Sequence, residues 1–298
     1  MKDYDQQKEK MGGAPGFIAA LDQSGGSSPK ALGLYGIGED AWSNDDEMFG
    51  LIHQMRSRII TSKSFGGDRI IAAILFEHTM DNNIAGKPAA SFLWEDKNVV
   101  PLLKVDKGLA DEADGVQLMK PIDGLGELLE KGRSKGIFGT KMRSVIKEND
   151  ASGIAVNAAQ QFEIAKTIID TGLVPIIEPE VDINCPDKAG AEAVLLAEIQ
   201  KGLDVLGDGE TVMLKLTIPN EDTLYAPFIE HPNILRIVAL SGGFARDDAN
   251  SRLSRNKGMI ASFSRALTEG LTAQQSGDEF DALLDSSVQA IYDASCSG

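Results

Sequence analysis

The chain has 298 residues, 42% hydrophobic and 25% charged, enough to bury one large core. Its 29 Lys and Arg against 45 Asp and Glu give a formal charge of −16, which argues against nucleic acid or an anionic membrane as main partner. Two cysteines, Cys185 and Cys296, are too few for a disulfide framework. No run approaches the ~20 apolar residues of a membrane span, and residues 1–13 carry no apolar leader core, so a cytoplasmic location is expected.

In chain order, apolar runs of strand length alternate with segments of helical periodicity. The first strand is predicted at 16–21. A helix follows in which Met48, Leu51, Ile52, Met55 and Ile59 share one face, with Asn44 as its N-cap and Glu47 making the return contact. Strands at 70–76, 99–105 and 138–142 come next. Ala158, Phe162, Ala165 and Ile169 form a second helical stripe, stopped by Gly172. A strand at 174–177 precedes the stripe Leu195, Ile199, Leu203 and Leu206, and strands at 212–216, 234–240 and 259–263 complete a set of eight. The last helix carries Phe280, Leu283, Leu284, Val288 and Ile291. Eight alternating units in this length predict an α/β fold, a single-domain (β/α)8 TIM barrel over 1–298 with a short polar N-terminal extension and a C-terminal helix. An open doubly wound sheet is disfavoured because no Gly-x-Gly-x-x-Gly fingerprint follows the first strand.

The residues that end these strands are chemically rich: Asp22, Glu77, Lys104 with Asp106, Lys141 with Arg143, Glu178 with Glu180, Lys215, Ser241, and Ser264 with Arg265. A barrel brings such ends to one rim, where barrel enzymes keep their active sites. Lys215 stands out because it interrupts the apolar strand Thr211-Val212-Met213-Leu214-Lys215-Leu216-Thr217. An amine in low dielectric beside other cations loses its proton more easily and can attack a carbonyl to form a Schiff base. Ser241-Gly242-Gly243 after strand seven and Arg265 after strand eight suit a phosphate: glycines admit oxygens to backbone N–H groups, and Arg supplies a charged fork. A second cluster, Asp22-Gln23-Ser24-Gly25-Gly26-Ser27-Ser28-Pro29-Lys30, reads either as a helix cap and flexible turn or, with Lys104 helping, as a cradle for another phosphate across the mouth.

Two cradles, a buried amine and carboxylates between them predict a bisphosphorylated sugar cleaved next to its ketone. Lys215 would form the iminium, Glu178 would accept the hydroxyl proton, Asp22 would orient that hydroxyl, and Lys141 would lower the basicity of Lys215. These residues, in the order Ala19-Ala20-Leu21-Asp22-Gln23-Ser24, Leu103-Lys104-Val105-Asp106-Lys107-Gly108, Lys141-Met142-Arg143, Val174-Pro175-Ile176-Ile177-Glu178-Pro179-Glu180, Leu214-Lys215, Leu240-Ser241-Gly242-Gly243 and Phe263-Ser264-Arg265-Ala266-Leu267, resemble the class I fructose-bisphosphate aldolases in a short form. The resemblance implies a barrel and reversible cleavage of fructose 1,6-bisphosphate without metal or cofactor. It also implies Lys215 as the Schiff-base lysine, Glu178 in acid/base work, and Asp22, Lys141, Arg143 and Glu180 around the reacting carbons. One phosphate would meet Ser241, Gly242 and Arg265, the other Ser24, Ser27 and Lys104.

The chain departs from the longer members in having only Lys30 followed by Ala31 for a basic pair, Ser264 before the arginine, and no long tail ending in tyrosine, so that Tyr292 either replaces that tyrosine or packs the last helix. Alternatives are a Schiff-base aldolase for another phosphorylated sugar, or a non-catalytic sugar-phosphate-binding barrel. A zinc-dependent aldolase is disfavoured, since His53, His78 and His231 are scattered. The oligomeric state is left open.

Overall fold

The computed structural model describes residues 2–297. Eight parallel strands close into a barrel: β1 (Phe17–Leu21), β2 (Ile70–Leu75), β3 (Val100–Lys104), β4 (Gly139–Ile146), β5 (Val174–Val181), β6 (Val212–Thr217), β7 (Ile234–Leu240) and β8 (Met259–Phe263). Closure is made by β8 on β1, where Ile18 lies opposite Ser262. The near-continuous Ile, Val, Leu and Ala runs follow from burial on both faces, one toward the barrel axis and one toward the helices.

The inner face holds Ile18, Ala20, Ile74, Leu102, Ile176, Met213, Val238 and Ile260 in its lower layers, leaving the C-terminal end of the barrel to polar side chains. The outer face packs against helices whose predicted stripes are largely buried. Met48, Ile52, Met55 and Ile59 are buried on helix Asp45–Thr61, with Asn44 accepting from the Glu47 N–H and Glu47 accepting from the Ser43 N–H at 2.7 Å. Leu51, Ile169, Leu206 and Leu283 are only half-buried, because each stripe is rotated slightly from its predicted centre. That rotation buries Arg56 and Gln161, which do not belong to the apolar stripes.

Two strands are longer than predicted. β4 and β5 pair in register from Gly139 with Val174 to Ile146 with Val181, past the point where their sequences turn polar. The extension is supported on its other side by Val116–Gln117, antiparallel to Val145 and Ile146. Arg143, Glu178 and Glu180 therefore sit within strands.

The polar N-terminal extension also proves ordered. Helix Lys2–Gly13 closes the lower end of the barrel, with Met11 fully buried among the inner-face residues and the ring of Tyr4 5.1 Å from that of Phe138. Arg236 donates to the carbonyls of Met11 (2.8 Å) and Ala14 (3.0 Å), and Lys10 donates to that of Gly67 (2.7 Å). The seat is a narrow face, with Met11 at its centre, Gln7 buried and Tyr4 half-buried beside it. Replacing this methionine empties a core position, so Met11→Ala should destabilise the fold by about 2–5 kcal/mol in chemical denaturation. An unchanged unfolding free energy would show that the plug contributes nothing to stability.

Candidate active site

The upper end of the barrel opens into a cavity of about 520 Å³. It gathers Asp22 from β1, Lys104 and Asp106 from β3, Lys141 and Arg143 from β4, Glu178 and Glu180 from β5, and Lys215 from β6. Ser241 and Gly242 from the end of β7 and Ser264 and Arg265 from that of β8 complete the rim, with Ser24 and Ser27 across the mouth. Glu77 alone of the predicted ring lies elsewhere, paired with Lys107 (3.3 Å) and Lys131 (3.2 Å) at the surface. Tyr292 packs against the outer core and does not line the cavity.

At the floor, Glu178 stands between two amines. One carboxylate oxygen is 3.0 Å from the Lys215 ammonium and the other 3.0 Å from that of Lys141, with all three side chains about 5% exposed or less. Lys141 also pairs with Asp22 at 2.7 Å. Burial alone would raise the Asp22 carboxyl, but the neighbouring cations Lys141, Lys215 and Lys104 reverse this and hold it well below the usual aspartate range. Burial alone would lower the Lys141 ammonium, and Asp22, Glu178 and Asp106 outweigh it and hold Lys141 protonated. The chain of charges runs Asp22, Lys141, Glu178, Lys215, alternating in sign. A carboxylate thus intervenes between the two lysines.

A second tier lies above it. Lys104 pairs with Asp106 at 2.6 Å, and burial still pushes its ammonium below the usual lysine value. Asp106 also accepts from the N–H groups of Gly108 and Arg143, both at 3.2 Å, which locks β3 to β4. Arg143 meets Glu180 at 2.9 Å, and burial raises the Glu180 carboxyl even against that arginine.

The rim cations differ from the floor. Arg265 and Lys30 line the cavity, and among the described residues neither makes an ion pair or a side-chain hydrogen bond. Gly242 (φ 59°) and Gly243 (φ 122°) hold left-handed backbone after β7. A Cβ on Gly243 would meet the Arg265 guanidinium at 3.3 Å, so the second glycine keeps the space in front of the arginine open even though it does not itself line the cavity. Opposite, Ser27 opens helix Ser27–Leu34, and its hydroxyl both accepts from the Ser24 N–H and donates to the Ser24 carbonyl at 2.9 Å.

Three contributors were not singled out in the sequence. Gln23 donates to the Ser264 hydroxyl at 2.7 Å, joining the ends of β1 and β8. Arg56, fully buried, donates to the Gln23 carbonyl and to Thr79 (2.8 Å), fixing the segment that carries Asp22. Gln161 donates to Ser144 on β4 and accepts from the N–H of Glu178. Arg56 and Gln161 carry no sequence signal of their own, since each lies among other polar residues of its helix, such as Gln54 and Arg58 or Gln160 and Glu163. Among the described residues, no group of three or more His, Cys, Asp or Glu is arranged to hold a metal ion, and no helix is long and apolar enough to cross a membrane.

A barrel with a buried lysine-carboxylate relay and an anion-ready rim defines a sugar-phosphate enzyme of the imine-forming type. Comparison with known proteins narrows this. The family pattern of fructose-bisphosphate aldolase class-I matches residues 17–195. A Synechocystis sp. protein named fructose-bisphosphate aldolase class 1 is 61% identical over 295 residues, which cover 99% of this chain and 98% of that protein. A solved fructose-bisphosphate aldolase from Plasmodium falciparum superimposes with a TM-score of 0.77 at 20% identity, covering 99% of this chain and 94% of that one. A Corynebacterium glutamicum structure follows at 0.58 and 12%, covering 99% and 92%. The chain belongs to the class I fructose-bisphosphate aldolase family.

The paired floor makes a stability prediction. A carboxyl depressed in the folded state stabilises the fold fully above its unfolded value near 3.8, and that contribution is lost as pH falls below it. Between there and its folded value, Asp22 should contribute a slope of ~1.4 kcal/mol per pH unit. Unfolding free energies compared between pH 5 and 3 should show that slope component missing in Asp22→Asn; parallel curves for the two proteins would refute the pairing.

Proposed function

We propose that the cavity performs reversible aldol cleavage of fructose 1,6-bisphosphate to dihydroxyacetone phosphate and glyceraldehyde 3-phosphate through an imine on Lys215. The observation that carries this reading is Glu178 bridging Lys141 and Lys215 at 3.0 Å each. Passing the Lys215 proton to Glu178 frees the lone pair, and the amine adds to the C2 carbonyl. Glu178 then returns a proton to the carbinolamine oxygen, water leaves, and an iminium remains.

Cleavage needs a base at the C4 hydroxyl. Glu178 takes that proton, and Asp22, held ionised, orients the hydroxyl by accepting from it. As the C4–O bond becomes a carbonyl, the C3–C4 bond breaks and its electrons move into the iminium, giving an enamine and releasing glyceraldehyde 3-phosphate. Protonation at C3 and hydrolysis return dihydroxyacetone phosphate and the free amine. Lys141 stays charged beside the developing negative oxygens.

The ends of the substrate are held by the rim. Ser241, the Gly242-Gly243 backbone and Arg265 suit one phosphate; Ser24, Ser27, Lys30 and Lys104 suit the other. Asp106, Arg143 and Glu180 shape the space between. A cytoplasmic location fits this reading, since both substrate and products belong to central sugar metabolism.

Borohydride reduction with dihydroxyacetone phosphate should give one stoichiometric adduct on Lys215, with loss of activity and no adduct in Lys215→Met. Peptide mapping that placed the adduct on Lys104 or Lys141 would reassign the nucleophile. Glu178→Gln should still bind the ketone phosphate while kcat falls ~10²-fold or more; a nearly unchanged kcat would move the base to Asp22 or Glu180.

A further inference from the structure

The ladder between β5 and β6 ends at Ile177 opposite Leu214, although β5 runs on beside β4 to Val181. Glu178 is the first residue past that point, and the side chain that reaches its backbone comes from outside the sheet. Gln161, on helix Ala151–Asp170 and fully buried, accepts from the Glu178 N–H at 3.3 Å. Its amide nitrogen donates to the Ser144 hydroxyl (2.8 Å) and the Met142 carbonyl (3.4 Å), both on β4. The network continues inward: Ser144 donates to Asn157 at 2.8 Å, and Asn157 donates to the Val145 carbonyl at 3.5 Å, with all three side chains fully buried.

This is an unusual place for an amide. Ala158, Phe162 and Ala165 on the same helix are apolar, and burying the amide costs the desolvation of its two polar atoms, which only the hydrogen bonds to β4 and β5 offset. What the amide adds to the backbone ladder between β4 and β5 is a brace from the helix side, fixing both strands against helix Ala151–Asp170 at the level where Lys141 and Glu178 face the cavity.

We propose that Gln161 is a positioning residue for the aldol reaction, setting the height and tilt of the Glu178 carboxylate between Lys141 and Lys215 by holding the two strands from behind. It touches neither substrate nor reacting atoms. The inference rests on the acid/base role given to Glu178 above.

Two variants test it. Gln161→Met keeps length and loses every hydrogen bond. Gln161→Glu, fully buried, is protonated at moderate pH; its carbonyl then accepts from the Glu178 N–H while its hydroxyl donates to Ser144, keeping two of the amide's three hydrogen bonds and losing only the longest, to the Met142 carbonyl. The groups facing the position are Asn157 from its own helix, Met142 and Ser144 from β4, and Glu178 from β5. The Glu178 carboxylate, with Lys141, Lys215, Arg143 and Glu180, lies across the sheet on the cavity side.

In Gln161→Met, kcat should fall about tenfold to a hundredfold, as expected for a catalytic group displaced by a fraction of an ångström to an ångström, with KM for fructose 1,6-bisphosphate within about twofold. Borohydride trapping on Lys215 should persist. In Gln161→Glu, kcat should be near the parent value at about pH 6 and drop as the new carboxyl ionises, a step absent from both other profiles. A parental kcat in Gln161→Met, or a Gln161→Glu profile with no added step, overturns the proposal; if Gln161→Met does not fold, the second profile decides alone. Absence of Lys215 trapping in the parent would instead reject the imine chemistry, so the two failures are told apart.

Discussion

A carboxylate shared by two buried ammonium groups is the constraint around which this protein is arranged. Isolated charges at the depth of Lys141, Glu178 and Lys215 would be strongly disfavoured, and each is tolerated because the next along the row has the opposite sign. The row also links strands distant in sequence, from Asp22 on β1 through β4 and β5 to Lys215 on β6. Moving any one group leaves an uncompensated neighbour, so the electrostatics that make the site reactive also fix its geometry.

Floor and rim divide the work. The floor cations are neutralised by carboxylates, which hold Lys141 protonated, while Arg265 and Lys30 at the mouth keep their charge unspent. In a chain of formal charge −16, that local positive charge is the feature of the mouth that would draw in the bisphosphorylated sugar of the proposed reaction. The left-handed backbone at Gly243 serves the same end, since a Cβ there would crowd Arg265, while one at Gly242 would collide with Ile183.

Much of this was legible in the sequence, and the exceptions have physical causes. Strands buried on both faces read as unbroken apolar runs, so all eight were visible, and charged residues at their ends marked the rim. β4 and β5 extended past prediction because Lys141, Arg143, Glu178 and Glu180 alternate with residues facing the helices, a strand pattern that resembles a strand end when the inward face is itself polar. Helix Lys2–Gly13 was read as an extension because its sequence is polar and its inward face is narrow, with Gln7 and Met11 buried one turn apart and Tyr4 half-buried beside them. Arg56 and Gln161 escaped because polar residues among other polar residues of a helix are ordinarily exposed; only the actual rotation of each helix turns these two inward. The pairing of Glu178 with both lysines could not be read from spacing, since it depends on the stagger of strands that are adjacent only after closure.

The closure of β8 on β1 bears on how the chain reaches this state. Ile18 and Ser262 are opposite one another, and helix Gly277–Cys296 packs on both strands, so the earliest of the eight strands finds its second neighbour only in the last. Until then β1 has a bare parallel edge and the inner-face residues Ile18 and Ala20 lie open to solvent. Contacts so far apart in sequence are slow to form, because the loop must be closed before any of its bonds repay the lost entropy. The N-terminal helix shares that dependence: Met11 clusters with Val174, Met213, Val238 and Ile260 from strands late in the chain, so the first helix gains its full seat only when the last strands are in place.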